Sequence, residues 1–187
     1  MTQEKKYYEY LLTRSSFSKI YRNVFLYRVI SLFLNQNILE VGSGIGDFLK
    51  YNKNAVGIDV NPYLVDHCQK IGLNVQLSDK NQIPYNNEFF ESCLLDNVIE
   101  HLEEPTTLMS EITRVLKPNG TLIIGVPGEK GYKNDPDHKV FYNKESLKVL
   151  VEAFEFKLKR SFCMPLPFNF ASKFLSQHCL YCVFNKR

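Results

Sequence analysis

Three glycines at alternate positions, Gly42, Gly44 and Gly46, follow the apolar run Ile38-Leu39-Glu40-Val41. A second short apolar segment, Ala55-Val56-Gly57-Ile58, ends in Asp59, 19 residues after Glu40. A strand that breaks into glycines brings bare backbone against a ligand, because glycine has no Cβ in the way and accepts positive φ. An acidic residue ending the next strand at this spacing suits hydrogen bonds from both hydroxyls of a ribose. The pattern points to an adenosine-containing ligand at the carboxyl ends of adjacent parallel strands. Two histidines add acid–base chemistry: His101, in Val98-Ile99-Glu100-His101-Leu102, and His138, just after Asp135 and Asp137. Either can serve as a general base near neutral pH. Each also has a plain alternative, a hydrogen-bonded structural histidine at 101 and a surface network at 138.

The glycine spacing narrows the ligand. A dinucleotide fingerprint wants a third glycine at its sixth position, where the helix packs beneath a pyrophosphate; here that position is Asp47. A carboxylate there repels a pyrophosphate. S-adenosylmethionine has no phosphate and carries an ammonium and a sulfonium, so Glu40 and Asp47 are acceptable neighbours. A nicotinamide-dependent oxidoreductase is disfavoured on the same ground.

The elements that must position these groups follow from periodicity and turn chemistry. Residues 3–34 read as two helical segments broken at Ser15 to Ser18. Asp47 to Lys53 leaves room for about two turns of helix. Asn61-Pro62 caps and opens the next helix, which Gly72 ends. Leu73 to Leu77, Ser92 to Asn97 and Thr121 to Val126 read as further strands, with a helix from Glu103 to Leu116 between the last two. Pro118-Asn119-Gly120 reads as a turn and Pro127 to Val140 as a long acceptor-binding loop. A helix over Lys144 to Ala153 precedes a pair of strands, Phe156 to Met164 and Leu180 to Lys186. The aromatic segment Pro165 to His178 between them reads as a helix on the core, with a pocket wall or a membrane-facing patch as the alternative.

Five stretches in register resemble the class I S-adenosylmethionine-dependent methyltransferases, in particular the ubiquinone and menaquinone biosynthesis type. They are Leu39-Glu40-Val41-Gly42-Ser43-Gly44-Ile45-Gly46, Gly57-Ile58-Asp59, Ile83-Pro84-Tyr85, Val98-Ile99-Glu100-His101-Leu102 and Arg114-Val115-Leu116-Lys117-Pro118-Asn119-Gly120. The resemblance implies an α/β, three-layer Rossmann-like fold with a seven-stranded, mostly parallel sheet and an antiparallel last strand. It implies one domain over 1–187: a helical cap (1–36), a cofactor core (37–127), then an acceptor loop and terminal strands (128–187). It assigns Glu40, Gly42, Ser43, Gly44, Gly46, Asp59, Val60, Asp79, Lys80 and Asn97 to the cofactor, with Asp79 and neighbouring backbone at the adenine and the end of the fourth strand beside the transferable methyl. Tyr7, Tyr8 and Phe17 become candidate lid residues. Phe89-Phe90-Glu91, where the family has Phe-Asp, and Phe154-Glu155-Phe156, where it has a Gly-Phe pair, are departures.

Composition sets the limits. A chain of 187 residues with 44% hydrophobic residues and net charge +3 suits a single core. No secretory signal or apolar run of membrane-spanning length is read, which predicts a cytoplasmic protein. The five cysteines make no disulfide framework, and in a strand the lone Cys179-x-x-Cys182 pair faces opposite ways, so no metal is expected. Residues 1–36 carry six basic and two acidic side chains, residues 37–154 eleven and seventeen, and residues 155–187 six and one. Basic ends around an acidic middle read as solvated faces, or as a frame for an acidic acceptor or contact with an anionic membrane. Asp96-Asn97-Val98-Ile99 lacks the Pro-Pro-aromatic signature of amino-directed nucleic-acid methyltransferases, and dense basic clusters are missing, which disfavours nucleic acid. The expected function is methyl transfer to a small-molecule, lipid-linked or carbohydrate acceptor. The alternative is a cofactor-binding partner or regulatory module without catalysis. Oligomeric state is not legible in the sequence.

Overall fold

The computed structural model describes residues 2–13, 20–79 and 82–187. Seven strands form one sheet: β1 (Ile38–Val41), β2 (Ala55–Asp59), β3 (Val75–Leu77), β4 (Phe90–Asp96), β5 (Leu116–Pro127), β6 (Phe156–Met164) and β7 (Cys179–Lys186). Their order is β3-β2-β1-β4-β5-β7-β6. The pairs β1–β2, β1–β4, β2–β3 and β4–β5 are parallel, while β7 runs antiparallel to both β5 and β6. The expected Rossmann-like sheet is present, and its last strand is the antiparallel one.

Around the sheet lie α1 (Gln3–Leu12), a π-helical turn (Arg22–Leu26) leading into α2 (Tyr27–Ser31), α3 (Asp47–Tyr51), α4 (Pro62–Lys70), α5 (Thr106–Val115), α6 (Glu129–Asn134) and α7 (Lys144–Glu152). The caps follow from sequence. Asn61 accepts from the Tyr63 N–H at 3.0 Å ahead of Pro62, and Gly72 leaves the helix with φ of +77°. Asn143 and Ser146 cap α7 reciprocally.

Alternation along the central strands divides the core into two layers. Leu39, Val41, Cys93, Leu95, Leu122 and Ile124 pack on one face with Met109 and Ile112 of α5 and Leu147 and Val151 of α7. Ile38, Leu94 and Ile123 face the other layer, with Tyr27, Phe48 and Val65. Both faces are covered, so the strands read as continuous apolar runs. Cys182 lies in the first layer and Cys179 packs against the second, as expected of side chains on opposite faces of a strand.

Three expectations need correction. The segment 165–178 is not a helix on the core: it holds a short 3-10 turn, Asn169–Lys173, and Phe168, Phe170 and Phe174 are exposed. Pro118-Asn119-Gly120 lies inside β5, not between separate elements; the pairing with β4 shifts register there, and Asn119 takes φ of +61°. This is an irregularity that a strand absorbs as a bulge. The stretch 127–140 is not all loop, since it contains α6. Gly131 sits within that helix because a Cβ there would come within 2.7 Å of the Ser176 carbonyl, so glycine allows α6 to lie against the segment before β7. The break at Ser15 to Ser18 and the lid candidate Phe17 lie outside the described residues.

Candidate functional site

The site begins where β1 ends. Gly42 takes φ of +71°, and a Cβ there would meet Val98 Cγ2 at 2.5 Å. Conformation and contact both require glycine. The Gly42 and Ser43 N–H groups donate to the Ile58 carbonyl at 2.9 and 3.1 Å, which ties the loop to β2. Asp59 accepts from Gly44 N–H and Asn61 N–H, each at 2.9 Å. Burial raises the pKa of its carboxyl, and those backbone donors oppose the rise.

A cavity of about 420 Å³ opens at the carboxyl ends of β1 and β4, the strands between which the sheet order reverses. Of the sequence candidates, Glu40, Gly42, Ser43, Gly44, Asn97, His101 and His138 line it, together with the lid candidate Tyr7. Gly46, Asp59, Val60 and Asp79 are not on its wall. Gly46 stands at the start of α3 with φ of +74°. Val60 is 51% exposed, and Asp79 is exposed, with its carboxylate accepting from Gln82 N–H at 2.8 Å. Lys80 lies outside the described residues. Helix α1 explains the division. Its Leu11 packs on Ile45 and Leu64, its Glu4 carbonyl accepts from Asn61 Nδ2 at 2.9 Å, and Tyr8 Oη sits 3.4 Å from His67 Nδ1. The helix roofs the glycine loop and leaves Val60 and Asp79 outside.

A buried charge cluster forms the cavity floor. The Arg22 guanidinium donates to Asp96 Oδ2 and, through Nε, to Tyr27 Oη at 2.9 Å. Asp96 Oδ1 accepts from Tyr181 Oη and Asn97 Nδ2, each at 2.9 Å. Asp96 is thus saturated. Glu40, 5% exposed, is not: its Oε2 is buried without a partner, and burial, then the Asp96 charge, pushes its pKa well up against the opposing pull of Arg22. Asn97 holds φ of +59°, a left-handed conformation uncommon outside glycine and easiest for Asn and Asp.

The far end of the cavity is built from the Ile99–His101 turn and the loop after α6. The Glu100 carbonyl accepts from Lys139 N–H at 2.7 Å and Val140 N–H at 3.1 Å, which docks the loop on the turn. His138 Nδ1 lies 2.9 Å from the Tyr132 carbonyl and His101 Nδ1 lies 3.3 Å from the Asp137 carbonyl. A carbonyl only accepts, so each ring carries a proton on Nδ1, and in the neutral ring Nε2 holds the lone pair; His138 Nε2 faces Glu100 Oε1 at 3.8 Å and Asp135 Oδ2 at 3.9 Å. The rings sit 4.7 Å apart, centroid to centroid. Glu100 is wholly buried, neither carboxylate oxygen has a partner, and its pKa is pushed up to about 8, by burial first and then by Asp96 and Asp135.

Sequence reading singled out neither Arg22 nor Tyr181, and it took Glu100 only as a motif letter beside His101. Arg22 carried a faint signal, a cation within an apolar stripe. Tyr181 carried none, because it reaches Asp96 from 85 residues away across the antiparallel strand.

Residues 39–124 match the family model described as a methyltransferase domain. Residues 39–124 therefore carry a methyltransferase domain, and the chain has the fold of class I S-adenosylmethionine-dependent methyltransferases. An uncharacterized protein of Methanocaldococcus jannaschii is 33% identical over 88 residues, 47% of this chain and 43% of that protein. The tRNA (carboxymethyluridine(34)-5-O)-methyltransferase of Arabidopsis thaliana is 31% identical over 94 residues, 48% of this chain and 23% of that protein. The matches therefore span less than half the length of these relatives. Among solved structures, an S-adenosylmethionine-dependent methyltransferase of Thermotoga maritima superposes with a TM-score of 0.79 at 19% identity, over 98% of each chain. The fold is thus shared over 98% of this chain, while the family-model match is confined to residues 39–124, from β1 into β5.

Proposed function

We propose that this methyltransferase moves the methyl group of S-adenosylmethionine to an oxygen of a small-molecule, lipid-linked or carbohydrate acceptor. The observation that carries the proposal is the pair of histidines, His101 and His138, each with Nδ1 turned to a carbonyl, lining the same cavity as the glycine loop and Glu40.

The residues present fit the cofactor. The unpaired buried oxygen of Glu40 suits an ammonium. Gly42, Ser43 and Gly44 would offer backbone at the cavity wall; Asp59, just behind it, would turn to ribose hydroxyls, and the exposed Val60 would give an apolar surface for a base on the far side of α1. Asn97, on the cavity wall, would face the methionine end. S-adenosylmethionine supplies an electrophilic methyl carbon for in-line displacement. Much of the acceleration is positioning. The acceptor oxygen forms the new C–O bond as the C–S bond breaks, and His138 Nε2 takes the hydroxyl proton, with His101 next to it.

The first test is calorimetric titration of the purified protein with S-adenosylhomocysteine, with NADH as control and Asp59→Ala as variant. Selective binding that collapses in the variant is expected; binding of NADH instead overturns the cofactor assignment. Radiolabelled methyl transfer to a panel of phenols, sugars, lipid-linked alcohols and tRNA then reads the acceptor. The tRNA is included because the Arabidopsis relative is named for it, and label appearing only on nitrogen sinks the oxygen assignment.

A further inference from the structure

The geometry points to a divalent transition-metal site formed by Glu100, His101 and His138 at the acceptor end of the cavity, a departure from the metal-free site expected from sequence. One ligand atom from each of the three residues lies within 4.8 Å of the others, and His138 Nε2 is 3.8 Å from Glu100 Oε1. Their hydrogen bonding is that of metal ligands. Each imidazole spends its Nδ1 proton on a backbone carbonyl, which fixes the tautomer and leaves Nε2 as the donor atom, as the outer partners of ligating histidines do.

Glu100 supplies the independent observation. Its side chain is 1% exposed, and neither oxygen has a hydrogen-bond partner, although buried carboxylates are ordinarily paired. A cation answers that deficit. Bonds of about 2.1 Å put tetrahedral donor atoms about 3.4 Å apart, so the three groups close on an ion by contractions of up to about 1.4 Å, made by side-chain rotation. Asp135, whose Oδ2 is 3.9 Å from the same Nε2, stands ready as a further ligand or proton acceptor. Two imidazoles and one carboxylate favour a borderline ion such as Zn²⁺ over Mg²⁺ or Ca²⁺, which take all-oxygen sets; Mn²⁺, harder than Zn²⁺, serves as a spectroscopic probe of the same ligands.

The role assigned to the ion rests on the oxygen-methylation reading, whereas its binding does not. Three protein ligands leave a position open to the cavity, where an acceptor hydroxyl can coordinate and lose its proton more readily. The released proton then passes to Asp135 or solvent, and the histidines serve as ligands instead of bases. The C–O and C–S changes are unaltered.

The test is calorimetric titration of chelator-treated full-length protein with ZnCl₂ and MnCl₂, with MgCl₂ as control, and electron paramagnetic resonance to follow loss of free Mn²⁺. One equivalent of Zn²⁺ or Mn²⁺ should bind, and Glu100→Gln and His138→Ala should each weaken it at least tenfold. The Glu40→Gln variant should bind the ion as the wild type does. Failure of the folded wild type to bind, or binding unaffected by both ligand variants, overturns the site. S-adenosylhomocysteine titration of the same metal-free sample separates the two readings: cofactor binding without metal binding removes the ion alone, and metal binding without cofactor binding removes the methyltransferase reading alone.

Discussion

Glu40 and Asp96 are two buried carboxylates a short way apart, with opposite fates. Asp96 is held by Arg22, Tyr181 and Asn97, whereas Glu40 keeps an unpaired oxygen. A carboxyl with a raised folded pKa binds its proton more tightly folded than unfolded. Its stabilising contribution is present below the ordinary glutamate range and is lost as pH rises through the raised value. Glu40→Gln imitates the protonated form and should raise the melting temperature of the cofactor-free protein at pH 8 by about 2–4 °C, corresponding to roughly 1 kcal/mol in a chain of this size. The gain should shrink at pH 5, and affinity for S-adenosylhomocysteine should fall; scanning calorimetry and titration at both pH values check this, with an equal gain at both defeating it. Arg22→Met does the reverse. It leaves Asp96, 3% exposed, without its cation and should cost about 3–5 kcal/mol in urea denaturation, with much of the loss restored in the Arg22→Met/Asp96→Asn double variant.

At the scale of elements, the glycine loop is held from two sides, by Ile58 of β2 and by Val98 just beyond β4. Gly42→Ala forces a left-handed alanine against Val98 and should cost about 1–3 kcal/mol. Affinity for S-adenosylhomocysteine should drop more than tenfold, read by calorimetry, and wild-type affinity in the variant would contradict the loop's proposed role. This loop was legible because glycine spacing is a local backbone requirement, as were the Asn61-Pro62 cap, the Gly72 stop and the β6 limits at Phe156 and Met164. Helix α6 was hidden by Gly131 and the surrounding Asp, Asn and Pro, which locally favour turns; its helicity accompanies packing against Ser176, 45 residues away. The strand through Pro118-Asn119-Gly120 was hidden in the same way, since a turn sequence was absorbed as a bulge. The site's polar floor was the least legible part, because Arg22, Asp96 and Tyr181 meet only through the tertiary fold. The histidines were visible as letters, but their shared Nδ1 tautomer depends on the Tyr132 carbonyl of α6 and the Asp137 carbonyl of the loop that docks on Glu100.

The molecule as a whole is assembled around a sheet whose final strand is an interior one. β7 lies between β5 and β6, pairs with both, and carries Cys179 and Tyr181 into the cavity. A chain ended after His178 keeps β1 to β5 but leaves β5 with a long unpaired edge and Asp96 without its tyrosine. Such an edge is a template for association. The shortened chain should elute as oligomers or aggregates in size-exclusion chromatography and fail to bind S-adenosylhomocysteine; a monomer that binds normally would show that β7 is dispensable. A polypeptide is made from its amino end, so the glycine loop emerges and can fold while β6 has no neighbour to join. The cavity gains its last wall only when residues 179–186 thread between strands already made, and the cofactor-binding core must wait, edge exposed, for the segment that closes it.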